Sequence, residues 1–340
     1  MKKVDSLKIN NNLMEIADKF DTFIFDAYGV FWDGKNFYPN SCETMKALKN
    51  MGKNIYILSN GTHLSKDRVD FYEKKGISKG MHYDEFITSG EIARQFLLKQ
   101  KLSFKNNKNP RKYFIFGTPN KALFAGTIYE NVENPEEADF CYLSHPQLYK
   151  EQVASLPQYA DFLFESKLPK EDEPRKWDSI VLDVFKPQLE KLLNLGLPVM
   201  NVNPDLTATE ADKTNNIIHP VIRQGAVAEM YRNMGGEVVE MGKPHKYTFD
   251  FILAILKQNG ININKERIVM IGDTVRTDIL GGNNAGIKTI LTTHTGIASK
   301  EILNGDKVSD AKLDALYKRE KGRADFLIKA VGGIDIIKTR

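Results

Sequence analysis

The chain has 340 residues, of which 41% are hydrophobic and 27% are charged. That length exceeds what one hydrophobic core usually supports, so it predicts two compact domains, and the composition excludes a wholly disordered protein. No apolar run is long enough for a membrane span or a signal peptide, so we expect a cytoplasmic protein with no membrane partner. The net charge of +4 is small and dispersed, which argues against a nucleic-acid partner.

The cysteines and histidines do not indicate a metal site. Cys42 and Cys141 stand far apart in the sequence, and the six histidines show no metal-ligand spacing. The sequence therefore supports neither a disulfide framework nor a zinc centre.

Short apolar runs alternate with helical patterns in the first 87 residues and again after about residue 220. The runs are rich in β-branched residues and apolar at consecutive positions, which is typical of parallel strands buried on both faces. The predicted strands are 22–26, 54–58, 267–272 and 287–292, and the predicted helices are 41–51, 65–75, 246–257 and 275–285. This alternation predicts an α/β fold, a doubly wound parallel sheet of the Rossmann-like type.

The middle of the chain carries a second α/β pattern, with predicted strands at 113–116, 139–143 and 198–202. We interpret it as a domain inserted into the first, since insertions are tolerated where they leave and rejoin at neighbouring loops. The predicted core domain is 1–87 and 211–340, and the predicted inserted α/β domain is 88–210. The tail from 309 to 340 adds one predicted helix and one strand, which we place at an edge of the core sheet.

Polar residues follow the predicted core strands. In doubly wound sheets ligands bind beyond the carboxyl ends of the strands, so we expect these residues to converge on one edge. They are Asp26, Ser59, Asn60, Gly61, Asp273 and Asp278, together with Lys243 just before the helix at 246–257.

The chemical types of these residues suit a phosphate and a metal. Two carboxylates at separate strand ends, Asp26 and Asp273, form the hard oxygen site that Mg²⁺ prefers. A hydroxyl group, backbone N–H groups and a lysine suit a phosphate. An aspartate beside a metal can also attack phosphorus and form an aspartyl-phosphate, which makes Asp26 the candidate nucleophile.

Four sequence blocks, in order, resemble the motifs of the haloacid dehalogenase superfamily: DTFIFDAYGV, YILSN, GKP and MIGDTVRTDILGGNNAGIKTIL. The segments FITSGEIA, VNPDL and GAVAEMY are similar to class IIA, the NagD-like class of sugar phosphatases, which carries a large α/β cap between the second and third motifs. The resemblance spans residues 22–296. It implies a core domain of that superfamily with the inserted domain as a cap.

The resemblance implies a metal centre and a nucleophile. Asp26 would be the nucleophile and a Mg²⁺ ligand. The backbone carbonyl of Tyr28 and the carboxylate of Asp273 would complete the ligands that the protein supplies.

The resemblance also implies a phosphate site. Ser59 and backbone groups of Asn60 and Gly61 would hold the transferring phosphoryl group, and Lys243 would neutralise it. Asp278 would orient Lys243 or metal-bound water.

One position departs from the phosphatase pattern. Phosphatases of the superfamily carry a second aspartate two residues after the nucleophile, which protonates the leaving group and then activates water; here that position is Tyr28. A tyrosine, with a usual pKa of about 10, is a poor replacement near neutral pH. Loss of a general acid and base typically costs about 10²- to 10⁴-fold in rate.

The predicted function is Mg²⁺-dependent hydrolysis of a small phosphomonoester, a sugar phosphate or a nucleotide, through an aspartyl-phosphate on Asp26. Two alternatives stay open: a phosphate-binding pseudoenzyme with little turnover, and a 2-haloacid dehalogenase, because DAYG is also the form of the motif in those enzymes. The cap would select the substrate, with Asn203 and Asp205 as candidates either for substrate contact or for turn formation. Homo-oligomerisation through the cap is compatible with the sequence, which does not decide it.

Overall fold

The computed structural model describes residues 8–118, 120–146, 174–211 and 218–334. The chain divides into two compact units. The core unit comprises Met1–Ser59, Ser65–Thr88 and Lys243–Arg340, and the inserted unit comprises Asn60–Leu64 and Ser89–Gly242. None of the helices formed by the described residues has the length and apolar character needed to cross a membrane.

The strands and helices of the described residues follow in chain order. The strands are β1 (Ile9–Asn10), β2 (Thr22–Phe25), β3 (Asn54–Ser59), β4 (Glu85–Thr88), β5 (Lys112–Phe116), β6 (Glu130–Asn131), β7 (Phe140–Leu143), β8 (Val199–Asn201), β9 (Thr207–Ala211), β10 (Ile218–Ile222), β11 (Val238–Glu240), β12 (Ile268–Gly272), β13 (Lys288–Thr292), β14 (Leu303–Asn304), β15 (Lys307–Val308) and β16 (Phe326–Ile328). The α-helices are α1 (Ser41–Asn50), α2 (Ser65–Glu73), α3 (Ser89–Leu98), α4 (Pro174–Asn194), α5 (Gln224–Asn233), α6 (Lys246–Gln258), α7 (Leu280–Ala285), α8 (Gly296–Ile302) and α9 (Asp310–Glu320).

The core unit is built on a parallel sheet with the strand order β1-β16-β13-β12-β2-β3-β4. From β2 the chain adds β3 and β4 on one side, and after the insertion it adds β12, β13 and β16 on the other. The order therefore reverses at the β2–β12 pair, which is where ligands bind in such sheets. This arrangement confirms the predicted doubly wound fold.

The central strands are buried on both faces, which explains why their sequences are apolar at consecutive positions. On β2, Phe23 and Phe25 pack in a cluster with Val269 and Ile271 of β12, while Ile24 between them is also fully buried. These buried strands form the centre of the core sheet, and Asp26 follows directly after the carboxyl end of β2.

The inserted unit has its own parallel sheet, with the order β11-β8-β7-β5-β6. Alternate residues of its central strand β7 enter two different hydrophobic clusters: Cys141 and Leu143 lie in one, Phe140 and Tyr142 in the other. The sheet is therefore covered on both faces, as expected of an inserted α/β domain. Cys141 is fully buried, and burial raises the pKa of its thiol, which fits a packing role.

Some details differ from the sequence-based expectations. The inserted unit ends at Gly242 rather than near residue 210, because the short strand β11 pairs with β8. The strand β16 is not an edge strand, since the two-residue strand β1 pairs outside it. The strand β4 is an addition to the predicted strands, because its four residues carry too short an apolar run.

We expect Ile271→Ala to lower the free energy of unfolding by about 2–5 kcal/mol, because removal of this fully buried β12 side chain would leave a cavity in the cluster that it forms with Phe23 and Phe25. Urea unfolding would measure the change. Met51→Ala, at a side chain that is 45% exposed, is the control and should change stability by about 0.5 kcal/mol or less. Equal effects of the two substitutions would contradict the assigned core.

Candidate active site

A buried lysine connects two of the predicted acidic residues. The Lys243 ammonium is 2.5 Å from Asp26 Oδ1 and 2.9 Å from Asp278 Oδ1, and it donates a hydrogen bond of 2.7 Å to the Leu58 carbonyl oxygen. Lys243 is only 1% exposed. A buried ammonium needs such partners, so Lys243 connects the end of β2, the end of β3 and the short π-helix Val275–Ile279 that follows β12.

Asp273 follows β12 and is buried at the same edge of the sheet. Its Oδ1 accepts a hydrogen bond of 3.1 Å from the Thr274 hydroxyl, and its Oδ2 accepts one of 2.7 Å from the Ile297 N–H. Burial and the charges of Asp26 and Asp278 raise the pKa of Asp273 well above its usual value. The carboxylate form is therefore disfavoured unless a positive charge lies beside it.

The three carboxylates form one cluster. Asp26, Asp273 and Asp278 each offer an oxygen, and these oxygens lie within 4.8 Å of one another. If all three groups are ionised, Lys243 compensates one negative charge and leaves two, which a divalent cation would balance. Hard oxygen ligands are also the type that Mg²⁺ prefers, so the residues present fit this ion.

Two glycines let the backbone approach Asp273 closely. Gly29 and Gly296 have φ angles of +78° and +69°. A β-carbon at these positions would lie 2.1 Å and 2.0 Å from Asp273 Oδ2, so both positions require glycine. The loops after β2 and β13 therefore enclose the Asp273 carboxylate.

The ring of Tyr28 packs into the core rather than replacing a carboxyl group. It is half-buried against the hydrophobic cluster that includes Phe31, Trp32 and Tyr72, and the Tyr28 backbone pairs with that of Trp32. The side chain therefore has a packing role, and the second aspartate of the phosphatase pattern has no counterpart at position 28.

Comparisons with known proteins identify the family of the chain. Two family models match separate parts of the chain: "Haloacid dehalogenase-like hydrolase" at residues 23–124 and "HAD-hydrolase-like" at residues 240–316. The first includes Asp26, and the second includes Lys243, Asp273 and Asp278. The chain belongs to the haloacid dehalogenase-like hydrolases.

Curated relatives match this hydrolase over most of its length. Phosphoglycolate phosphatase 2 of Arabidopsis thaliana is 26% identical over 307 residues, covering 88% of this chain and 91% of the relative. The rat (Rattus norvegicus) glycerol-3-phosphate phosphatase is 26% identical over 335 residues, covering 92% and 89%. The 4-nitrophenylphosphatase of Schizosaccharomyces pombe is 24% identical over 314 residues, covering 89% and 94%.

Solved structures share the fold. A haloacid dehalogenase-like hydrolase from Brucella suis 1330 superposes with a TM-score of 0.69 at 21% identity, covering 95% of this chain and all of the other. NagD from E. coli K-12 superposes with a TM-score of 0.52 at 19% identity, covering 94% of this chain and all of the other. The expected NagD-like fold is therefore confirmed.

The predicted phosphate-site residues fall in both units of the hydrolase. Ser59 ends β3 in the core unit and is 8% exposed, whereas Asn60 and Gly61 belong to the inserted unit. Asn203 is 7% exposed, and its Oδ1 accepts a hydrogen bond of 3.0 Å from the Asp205 N–H. The roles of these residues toward phosphate and substrate stay predictions.

Sequence reasoning missed the loop after β13. Ligands in doubly wound sheets bind beyond the carboxyl ends of the strands, and the residues after Thr292 also follow a core strand. This loop supplies the Ile297 N–H that donates a hydrogen bond to Asp273. Tyr38 follows none of the predicted strands, so this rule could not identify it. The Tyr38 hydroxyl accepts a hydrogen bond from the Gly296 N–H, and burial and the charge of Asp273 raise the pKa of Tyr38 to about 12.

We expect Gly296→Ala to disturb the Asp273 carboxylate, because the added β-carbon would collide with it. Gly52→Ala is the matched control: Gly52 also has a positive φ, of +74°, but nothing lies within 4 Å of its β-carbon position. The control should cost about 1 kcal/mol of backbone strain. Gly296→Ala should cost more and should also weaken stabilisation by Mg²⁺ in thermal unfolding. Equal behaviour of the two variants would contradict the tight packing around Asp273.

Proposed function

We propose that this hydrolase is a Mg²⁺-dependent phosphatase of small phosphomonoesters. The observation that carries the proposal is the buried Lys243 ammonium, paired with Asp26 beside the Asp273 carboxylate. The relatives are named as phosphatases, which supports the same reaction type. The centre fits phosphoryl transfer, since that reaction depends mostly on positioning and on stabilising negative charge.

In the first step, an Asp26 carboxylate oxygen attacks phosphorus, and the bond between phosphorus and the substrate's leaving oxygen breaks. An aspartyl-phosphate forms on Asp26, and the leaving oxygen departs as an alkoxide or phenolate, which takes its proton from solvent water. The Lys243 ammonium hydrogen-bonds Asp26 and stays beside the phosphoryl group as charge develops on it. Ser59, at the end of β3, would donate its hydroxyl hydrogen bond to a phosphoryl oxygen.

In the second step, water attacks the phosphorus atom of the aspartyl-phosphate and releases inorganic phosphate, which regenerates the Asp26 carboxylate. Asp26, Asp273 and the backbone carbonyl of Tyr28 would hold Mg²⁺, which when bound neutralises charge on the phosphoryl oxygens. Asp278 acts through Lys243, because their ion pair fixes the ammonium relative to Asp26. The backbone amides of Asn60 and Gly61 would complete the phosphate site.

The leaving group limits this chemistry. An alkoxide needs a proton as it leaves, and Tyr28 supplies no carboxyl group for that purpose. A phenolate such as 4-nitrophenolate leaves without a proton. We therefore infer that the enzyme hydrolyses substrates with stable leaving groups much faster than alkyl phosphates, or that it uses a proton donor from elsewhere.

The substrate class rests on the sequence and on the relatives' names. The sequence predicts a sugar phosphate or a nucleotide, and the relatives add phosphoglycolate and glycerol 3-phosphate to the compounds worth testing. Selection among them would fall to the inserted unit, where Asn203 and Asp205 remain candidates for substrate contact. A cytoplasmic location and homo-oligomerisation also stay predictions.

The packing of Tyr28 favours a second candidate function, a phosphate-binding protein with little turnover. Such a protein would retain Lys243 and the carboxylate cluster without a general acid. A 2-haloacid dehalogenase fits less well, because a metal-free attack on carbon has no use for the buried Asp273 carboxylate beside Asp26. Halide release from 2-haloacids without metal would reverse this order.

We expect Lys243→Gln to lower kcat/KM for 4-nitrophenyl phosphate by about 10²-fold or more, because its ammonium hydrogen-bonds Asp26 and would stabilise the phosphoryl group. Asp26→Asn should remove activity altogether. Lys246→Gln is the matched control, since that lysine lies three residues further on and its side chain is 86% exposed; its activity should be unchanged. Activity that survives Asp26→Asn or EDTA treatment would contradict the proposed function.

We expect Tyr28→Asp to raise hydrolysis of an alkyl phosphate such as glycerol 3-phosphate by about 10²- to 10⁴-fold, because a carboxyl group there can protonate the leaving oxygen. Hydrolysis of 4-nitrophenyl phosphate should rise much less. Tyr28→Phe preserves the packing and should leave both rates unchanged. Comparing the two substrates across the three proteins measures the effect. A loss of activity in Tyr28→Phe would show that the tyrosine hydroxyl takes part in the reaction.

A further inference from the structure

The side chain of Asn60 is engaged by two other segments of the inserted unit. Its Nδ2 donates a hydrogen bond of 2.8 Å to Asp205 Oδ1, and its Oδ1 accepts one of 3.2 Å from the Ser89 hydroxyl. Asn60 is 3% exposed and Ser89 is fully buried. Because a carboxylate can only accept, the amide NH₂ must face Asp205, so the orientation of the Asn60 amide is determined.

Asp205 is itself held in place by bonds that do not involve Asn60. Its N–H donates to Asn203 Oδ1, and the Asn203 N–H donates to Asn201 Oδ1 at 3.1 Å. The Asp205 carbonyl oxygen accepts a hydrogen bond of 3.1 Å from the Gly225 N–H at the start of α5. These bonds fix the backbone of the turn that carries Asp205. They therefore restrict where its carboxylate can lie, independently of Asn60.

The segments around Asn60 approach one another closely at two glycines. A β-carbon at Gly242 would lie 2.9 Å from Asn60 Oδ1, 2.8 Å from Ser89 Oγ and 2.6 Å from Pro204 Cδ. A β-carbon at Gly90 would lie 2.3 Å from the Thr62 carbonyl oxygen. The loop 60–64 is therefore packed against both chain ends of the long segment Ser89–Gly242.

We propose that Asn60 and Asp205 are positioning residues for phosphate binding. Their hydrogen bond, here called the Asn60–Asp205 clasp, fixes the loop that directly follows Ser59, so that the N–H groups of Asn60 and Gly61 meet the phosphoryl group in one orientation. The proposal rests on the proposed phosphatase function. It assigns the Asp205 carboxylate to the loop rather than to the substrate.

The physical basis is the sensitivity of phosphoryl transfer to geometry. Backbone N–H donors stabilise developing charge only when they already point at it, and a misplacement of about 1 Å can cost on the order of 10²-fold in rate. The loop residues Asn60, Gly61 and Thr62 are small or polar, so the direction of their N–H groups depends on hydrogen bonds as well as on close packing. The clasp supplies that constraint from a turn distant in sequence.

The test exchanges donor and acceptor. Asn60→Asp places two carboxylates opposite each other and should lower kcat/KM for 4-nitrophenyl phosphate by roughly 10-fold or more, with weaker inhibition by inorganic phosphate. Adding Asp205→Asn to that variant restores one donor and one acceptor in reverse order, while the Ser89 hydroxyl can still donate to the new carboxylate. The double variant should regain most of the lost activity.

Two further variants separate positioning from a merely structural role. Asp205→Ala removes the acceptor and should lower kcat and phosphate affinity together, also by roughly 10-fold. Asn107→Asp is the matched control, because Asn107 Nδ2 donates to Asp139 Oδ1 at 3.2 Å elsewhere in the inserted unit. That substitution introduces the same repulsion, so it should lower the melting temperature and leave kcat/KM of the folded protein unchanged.

Either of two results would overturn the proposal. One is a folded Asp205→Ala protein with the kcat/KM of the wild type. The other is a folded exchange variant no more active than Asn60→Asp, the result expected if Asp205 served the substrate directly. A wild-type protein that released no phosphate would instead overturn the proposed function. The same variants would then be compared by calorimetric titration with inorganic phosphate, and equal affinities would overturn the clasp.

Discussion

The ammonium group of Lys243 is the interaction on which the rest of the site depends. It is almost completely buried, and it lies between the carboxylates of Asp26 and Asp278 while donating to the Leu58 carbonyl oxygen. A buried charge is tolerated only where such partners compensate for lost hydration. The same contacts hold the candidate nucleophile Asp26, so the groups that stabilise the buried lysine also hold the candidate active site together.

The charge balance of this candidate site is the reason for proposing that it binds both a cation and a phosphate. Lys243 alone leaves the three carboxylates undercompensated, and the pKa of Asp273 is raised by its burial and then by this excess of negative charge. A divalent cation would supply the missing positive charge and would then attract the phosphoryl group. The near-neutral net charge of the whole chain is compatible with such a site, because the charges that matter are few and buried. The unusual element is Tyr28, which packs in the aromatic cluster where a phosphatase of this superfamily would carry a carboxyl group for proton transfer.

Much of the core fold and of the candidate site could be predicted because both follow local rules. Buried parallel strands appear as apolar runs, and residues after successive strands meet at one sheet edge, which is why Asp26 and Asp273 could be expected to lie together. Short or partly polar elements escape this signal. Strands β4 and β11 are examples, since they are defined by pairing with β3 and β8 rather than by their own sequences. For that reason the sequence predicts an end at residue 210, whereas the inserted unit extends to Gly242.

Local patterns in the amino-acid sequence are sufficient for the α/β class, the inserted domain, and the choice of Asp26, Lys243 and Asp273 as candidate site residues, because each depends on a short motif or on one residue's chemistry. The contacts of these residues come from the folded chain. Gly29 and Gly296 enclose Asp273, the Tyr28 ring packs into the core, and Asn60 is bonded to Asp205. Such contacts join residues far apart in the chain, and their partners are selected by packing and hydrogen bonding in three dimensions, which leave no periodic trace in the sequence.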